Sequence, residues 1–126
     1  ALNHILGKED TIDFGIIPTA VFTTPEVATV GLSEEAAEAQ GITYSTHKAF
    51  YRANGKALAM GADEGLAKFL TDADGKIIGC HILGEHAADL IHEAATLIKN
   101  GATLHQLEEN IHAHPSLSEI LLAATE

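Results

Sequence analysis

Two imidazoles, a proline and a carboxylate fall within eight positions in His112-Ala113-His114-Pro115-Ser116-Leu117-Ser118-Glu119. An imidazole takes up or releases a proton near neutral pH. Pro115 fixes the backbone beside His114, and Glu119 could orient that ring and stabilise its protonated form. These are the parts of an acid/base catalyst. Imidazole has a reference pKa of about 6.5 and a thiol about 8.5. A carboxylate-held histidine therefore suits thiol chemistry, as base for a thiol and acid for a departing thiolate. No nucleophile and no cofactor loop accompanies the motif, so it reads as part of an active site rather than a whole one.

The spacing admits a plainer use. His114 and Glu119 lie five residues apart, neither of the helical face spacings of three and four. They meet only if a turn precedes the helix, and Pro115 favours one. Ser116-Leu117-Ser118-Glu119 is also a capping box, in which hydroxyl and carboxylate satisfy free backbone donors at a helix start. On spacing alone the cap comes first for Glu119, and for His114 alone an ordinary surface or capping histidine comes first as well.

A metal site is the other chemistry to weigh. Among eight histidines, His112 and His114 could bind from one strand face, with His105, Glu108 or Glu109 nearby. A catalytic zinc usually wants three protein ligands, and no helical histidine pair at metalloprotease spacing occurs. His81, His86 and His92 are spread over different elements, so no native metal is expected. Cofactor loops are missing as well: there is no G-x-G-x-x-G after a strand and no G-x-x-x-x-G-K-[ST]. Gly79 and Gly84 have the separation of a phosphate loop, but Glu85-His86 replaces its lysine and hydroxyl residue. Asn54-Gly55-Lys56 reads as a turn.

The elements that must position these residues follow from local signals. Ala1 to Gly7 reads as the last turns of a helix ended by glycine, with no start signal, so the chain is expected to begin inside an element of a larger protein. Lys8 to Gly15 is a polar connector. Thr19-Ala20-Val21-Phe22-Thr23-Thr24 and Val27-Ala28-Thr29-Val30-Gly31-Leu32 have strand composition, separated by Pro25-Glu26. Ser33 caps a helix that Gly41 ends, and Ile42 to Phe50 alternates as a strand. Tyr51 to Gly61 is ambiguous. Leu66 to Thr71 and Lys76 to Leu83 flank Asp72-Ala73-Asp74-Gly75 as a hairpin. From Glu85 to Asn100 the period turns helical, with Leu90, Ile91, Ala94, Leu97 and Ile98 as one apolar stripe and Asp89, Glu93, Thr96 and Lys99 off it. Gly101 closes that helix, Thr103 caps a short one through Leu107 and Glu108, and a last helix runs from about Ser116 to Ala124. Strands first and helices last predict an α+β domain with an antiparallel sheet of about five strands.

Composition bounds the function. The 126 residues suit one domain. Seven basic against 18 acidic residues give a formal charge of −11, which argues against nucleic acid or an anionic membrane as partner. The acidity serves solubility. No apolar run reaches membrane-span length and no signal peptide is visible. Cys80 is the one cysteine; it rules out an intrachain disulfide or two-thiol redox centre within this sequence and fits a reducing compartment. In its apolar run Cys80 reads as a core residue.

Three ordered stretches resemble one family. His114-Pro115-Ser116-Leu117-Ser118-Glu119 is similar to the His-Pro-Thr-x-x-Glu signature of the flavin-dependent pyridine nucleotide-disulfide oxidoreductases. Ile17 to Gly31 looks like the entry to their C-terminal dimerisation domain. Gly79-Cys80-His81-Ile82-Leu83-Gly84, with the helix to Asn100-Gly101-Ala102-Thr103, matches as well. The resemblance runs from Ile16 to Ala124. It implies that residues 1–15 are the tail of a preceding flavin-domain helix with its connector, and 16–126 the dimerisation domain.

Within the family, Ile111-His112-Ala113 and Leu117 favour the dihydrolipoamide dehydrogenases over glutathione-type reductases, which are the runner-up. Ser116 stands where the family usually has threonine. The resemblance implies His114 as the acid/base for dithiol–disulfide exchange and Glu119 as its orienting carboxylate. The His114-Pro115 bond would be cis, with its backbone near the flavin and the redox disulfide of the other subunit. It further implies a homodimer, FAD and NAD in the full-length enzyme with none bound by this segment, and no catalysis by the segment alone. Lipoyl-bearing 2-oxo acid dehydrogenase or glycine cleavage components would be its partners, in a bacterial cytoplasm or a mitochondrial matrix. The apolar helix 85–100 and the C-terminal segment are candidates for the dimer surface, with the core as the alternative for the helix. A stand-alone binding or assembly domain and a small metal-dependent hydrolase are readings of other classes.

Overall fold

Asp72 makes the central hairpin. Its Oδ1 accepts the backbone N–H groups of Asp74 and Lys76, both at 2.9 Å. The chain thereby turns from β4 (Leu66–Asp72) into β5 (Ile77–Leu83), where the sequence places it. The computed structural model describes residues 2–9 and 11–126. Ala1 and Asp10, within the expected helix tail and connector, lie outside the described residues.

Beside the hairpin lie β1 (Thr19–Val21), β2 (Val27–Gly31) and β3 (Tyr44–Phe50). All pairings are antiparallel, in the order β1-β2-β5-β4-β3. The expected α+β class and five-stranded sheet are therefore present. β1 is shorter than the expected strand, ending at Val21 opposite Val27. Residues 22–26 are taken up by the reversal into β2 and include a cis Thr24-Pro25 bond.

Register explains the core. Ala28, Ile82, Ala67 and Ala49 line up across four strands, as do Val30, Cys80 and Phe69 across three. All are buried. Over this face lies α4 (Ala87–Lys99), against β2 and β5. Burying a side chain such as Ile91 or Ile82 contributes roughly 1.5–3 kcal/mol. Within the stripe of α4, Ile91 and Ala94 are 1% and 0% exposed and belong to the core, the alternative weighed for this helix, while Leu90, Leu97 and Ile98 are half-buried against it.

Caps set the other helices. The short α1 spans Leu2–Ile5, and α2 (Glu34–Ala39) starts where Ser33 Oγ accepts from Ala36 N. In α5 (Leu104–Glu108) Thr103 and Gln106 form a full capping box. One expectation is corrected: Asn54-Gly55-Lys56 is not a turn but the start of α3 (Gly55–Met60), because Asn54 Oδ1 accepts from Ala57 N. Asn-Gly signals a tight turn, but asparagine is also a strong N-cap. The last helix, α6 (Glu119–Ala123), begins three residues later than expected, after an extended loop that carries the candidate site. It packs on β3 and β4, with Ile120 and Leu121 buried.

Candidate functional site

The loop between α5 and α6 holds His112, His114 and Pro115, and α6 opens on Glu119. The His114-Pro115 peptide is cis. The loop turns back on itself, so the carboxylate five residues on reaches the ring: His114 Nδ1 lies 2.9 Å from Glu119 Oε1. Glu119 Oε2 accepts the backbone N–H of Ser116 at 2.8 Å. One carboxylate thus holds both the ring and the loop backbone. The expected capping box does not form, since Ser118 takes the N-cap position of α6 with no side-chain bond to it and Ser116 Oγ pairs with Ser118 Oγ at 3.0 Å.

The electrostatics suit a charged Glu119. The Ser116 N–H, and after it the His114 ring, hold its carboxyl below the usual glutamate value. A carboxylate only accepts hydrogen bonds, so Nδ1 of His114 carries the proton in this contact. The lone pair of neutral His114 is then on Nε2, which has no hydrogen-bond partner among the described residues. The side chain is 78% exposed against 27% for Glu119. It borders an open cavity of about 260 Å³, lined also by Phe50, Asn54, Ile120 and Ala123. A positioned imidazole with one free nitrogen can take a proton from, or give one to, a group arriving from outside.

Residues outside the motif hold the loop. Asn54 Nδ2 donates to the carbonyl of Ser116 at 3.1 Å, so the residue read as a turn also reaches the site. Glu93, read only as lying off the apolar stripe, has Oε1 3.0 Å from His112 Nε2. No local sequence signal marks either residue, because each partner lies far along the chain.

The strand-face placement of the two histidines is corrected. His112 and His114 do not share a strand face; they sit in a loop with side chains 5% and 78% exposed, bonded to different carboxylates. His105 pairs with Glu108 on the surface. Among the described residues no three metal-ligating side chains converge. Cys80 lies in the core, and burial pushes its thiol up, which removes it as a nucleophile. No helix described here is long and apolar enough to cross a membrane.

Comparison with known proteins bears on the domain as a whole. Residues 17–125 match the family model for the pyridine nucleotide-disulphide oxidoreductase dimerisation domain. The dihydrolipoyl dehydrogenase of Chlamydia muridarum is 43% identical over 121 residues, covering 95% of this chain and 26% of the relative. That of Synechocystis is 42% identical over 126 residues, covering 96% and 27%. The chain thus spans about a quarter of the length of these relatives. Among solved structures, LpdA from Mycobacterium tuberculosis superposes with a TM-score of 0.91 at 27% identity, over 98% of this chain and 28% of that one. The Cu(II) complex of the HOCl-induced flavoprotein disulfide reductase RclA from Escherichia coli gives 0.89 at 27% identity, over 98% and 29%.

Proposed function

This chain belongs to the pyridine nucleotide-disulphide oxidoreductase family as its dimerisation domain, and from that premise we propose that it serves a dihydrolipoyl dehydrogenase, with His114 as acid/base. The observation that carries the reading is the His114–Glu119 contact, which leaves Nε2 facing outward. Residues 1–15 are then the tail of a flavin-domain helix with its connector, and 16–126 the dimerisation domain of a homodimer.

In this role His114 takes the proton of one dihydrolipoamide thiol. The thiolate attacks the redox disulfide of the other subunit, forming a mixed disulfide and freeing one cysteine as thiolate. The second substrate thiol then attacks the substrate sulfur of the mixed disulfide. The lipoamide disulfide closes and the other cysteine sulfur departs, taking the proton held by His114. The second substrate proton leaves to solvent, and two electrons have passed to the cysteine pair. Glu119 stabilises the imidazolium formed on the way.

FAD and NAD, bound by other domains, would carry those electrons onward. This chain has no dinucleotide loop, but the exposed His114-Pro115 edge can lie against a flat ring held by another subunit. Pro115 and the backbone of His114 are what it offers to the flavin. Lipoyl-bearing 2-oxo acid dehydrogenase or glycine cleavage components are the proposed partners. The proposed compartment is a bacterial cytoplasm or a mitochondrial matrix, where a buried lone thiol needs no oxidising environment.

A site shared between subunits has a direct test. Full-length protomers bearing His114→Gln are co-assembled with protomers whose redox cysteines are serine. Neither homodimer should turn over dihydrolipoamide, while the hybrids should regain part of the activity through one intact site. Hybrids as inactive as their parents contradict a shared site.

A further inference from the structure

His114 hangs between two fixed points on its own loop. Two residues before it, the His112 ring is 5% exposed. Its Nε2 lies 3.0 Å from Glu93 Oε1, and its Nδ1 lies 3.3 Å from the carbonyl oxygen of Asn110. The amide of Asn110 also reaches Glu93 Oε1, at 3.4 Å. Glu93 is fixed in turn, because it stands on α4 between the buried Ile91 and Ala94. Two residues after His114, the Ser116 carbonyl accepts from Asn54 Nδ2 at 3.1 Å. Asn54 is 7% exposed, and its Oδ1 is committed to the cap of α3 at 2.9 Å from Ala57 N. The residues between the two points, Ala113, His114 and Pro115, are exposed. The loop is thus tied to α4 on one side and to α3 on the other, and neither tie touches the reacting imidazole.

We propose that His112 with Glu93, and Asn54, are positioning residues that clamp the backbone on either side of His114 and so fix where its Nε2 stands. The inference rests on the acid/base reading of His114. A misplacement of about 1 Å can cost on the order of 100-fold in rate, and an exposed ring with one carboxylate partner depends on its backbone for its location. The clamps differ in kind. His112–Glu93 is a side-chain pair reaching over 19 residues of sequence. Asn54 is a buried amide whose two ends serve two elements at once, so its donor and acceptor can be separated by substitution.

The test uses the full-length holoenzyme with dihydrolipoamide and NAD. His112→Ala removes one clamp. His112→Gln restores an amide N–H that can reach Glu93. Asn54→Asp keeps an oxygen for the α3 cap but loses the N–H that binds Ser116. We expect kcat to fall roughly 10-fold in His112→Ala and in Asn54→Asp, with KM for dihydrolipoamide within about 2-fold. His112→Gln should recover most of the loss. Wild-type kcat in His112→Ala and Asn54→Asp overturns the clamp, as does a glutamine variant as impaired as the alanine one. The two substitutions lie on different elements, so if one protein fails to fold the other decides. His114→Gln, assayed alongside, separates the two ideas. If it is inactive while the clamp variants are normal, only the clamp fails; if it is fully active, the acid/base reading fails and the clamp with it.

Discussion

The Glu119 carboxylate stands 2.9 Å from Nδ1 of His114 with one oxygen, and 2.8 Å from the Ser116 N–H with the other. One side chain therefore couples the ring to its own loop. The same contacts set a pH dependence. Glu119 is held below its ordinary value of 4.5, so folding favours the carboxylate. The stabilisation is fully present above that ordinary value. It is lost as the pH falls through the lower folded value. Urea midpoints measured from pH 6 to pH 3 should drop less steeply for Glu119→Gln than for the wild type. Parallel curves would show that the contacts do not favour the charged form.

Cys80 lies at the centre of the sheet with 0% exposure. A thiol reagent added to this chain, whose only cysteine it is, should react in denaturant and remain nearly inert under native conditions. Reaction at the rate of a free thiol in the native protein would contradict its place in the core. Cys80→Ser should cost about 1–3 kcal/mol, because it buries a hydroxyl that has no assigned partner.

Gly84 follows β5 at a φ of +155°, and a Cβ there would stand 2.3 Å from the Tyr51 ring. That ring is fully buried and its hydroxyl donates to the Glu85 carbonyl at 2.8 Å, so it cannot move aside. Gly84→Ala should destabilise the domain by about 3 kcal/mol or more, read as a lower thermal midpoint. The same substitution at Gly55, where a Cβ meets nothing within 4 Å, should be far milder. Equal midpoints for the two variants would refute the packing argument.

What the sequence made legible was local. The Asp72 hairpin, the Thr103 cap and the apolar stripe of α4 all depend on residues within a few positions of one another, so spacing alone locates them. The elements that hold the loop were not legible, because their partners are remote. Asn54 meets Ser116 across 62 residues, and its Asn-Gly pair carries the turn and the cap signal alike. Glu93 sits off the apolar stripe, and its use becomes visible only when α4 lies beside the loop. The choice posed for Glu119 between cap and orienting carboxylate was open for the same reason. Spacing offers alternatives, whereas the folded loop gives one oxygen to the His114 ring and the other to the Ser116 N–H.

The central claim is that His114 moves the thiol proton. The most direct measurement is kcat for dihydrolipoamide oxidation by full-length His114→Gln enzyme, with flavin content verified. Glutamine keeps a polar side chain of similar reach but cannot take up the proton, so kcat should fall by roughly 10²–10⁴-fold. A kcat within about 3-fold of the wild type would contradict the account, because general base catalysis cannot be lost so cheaply.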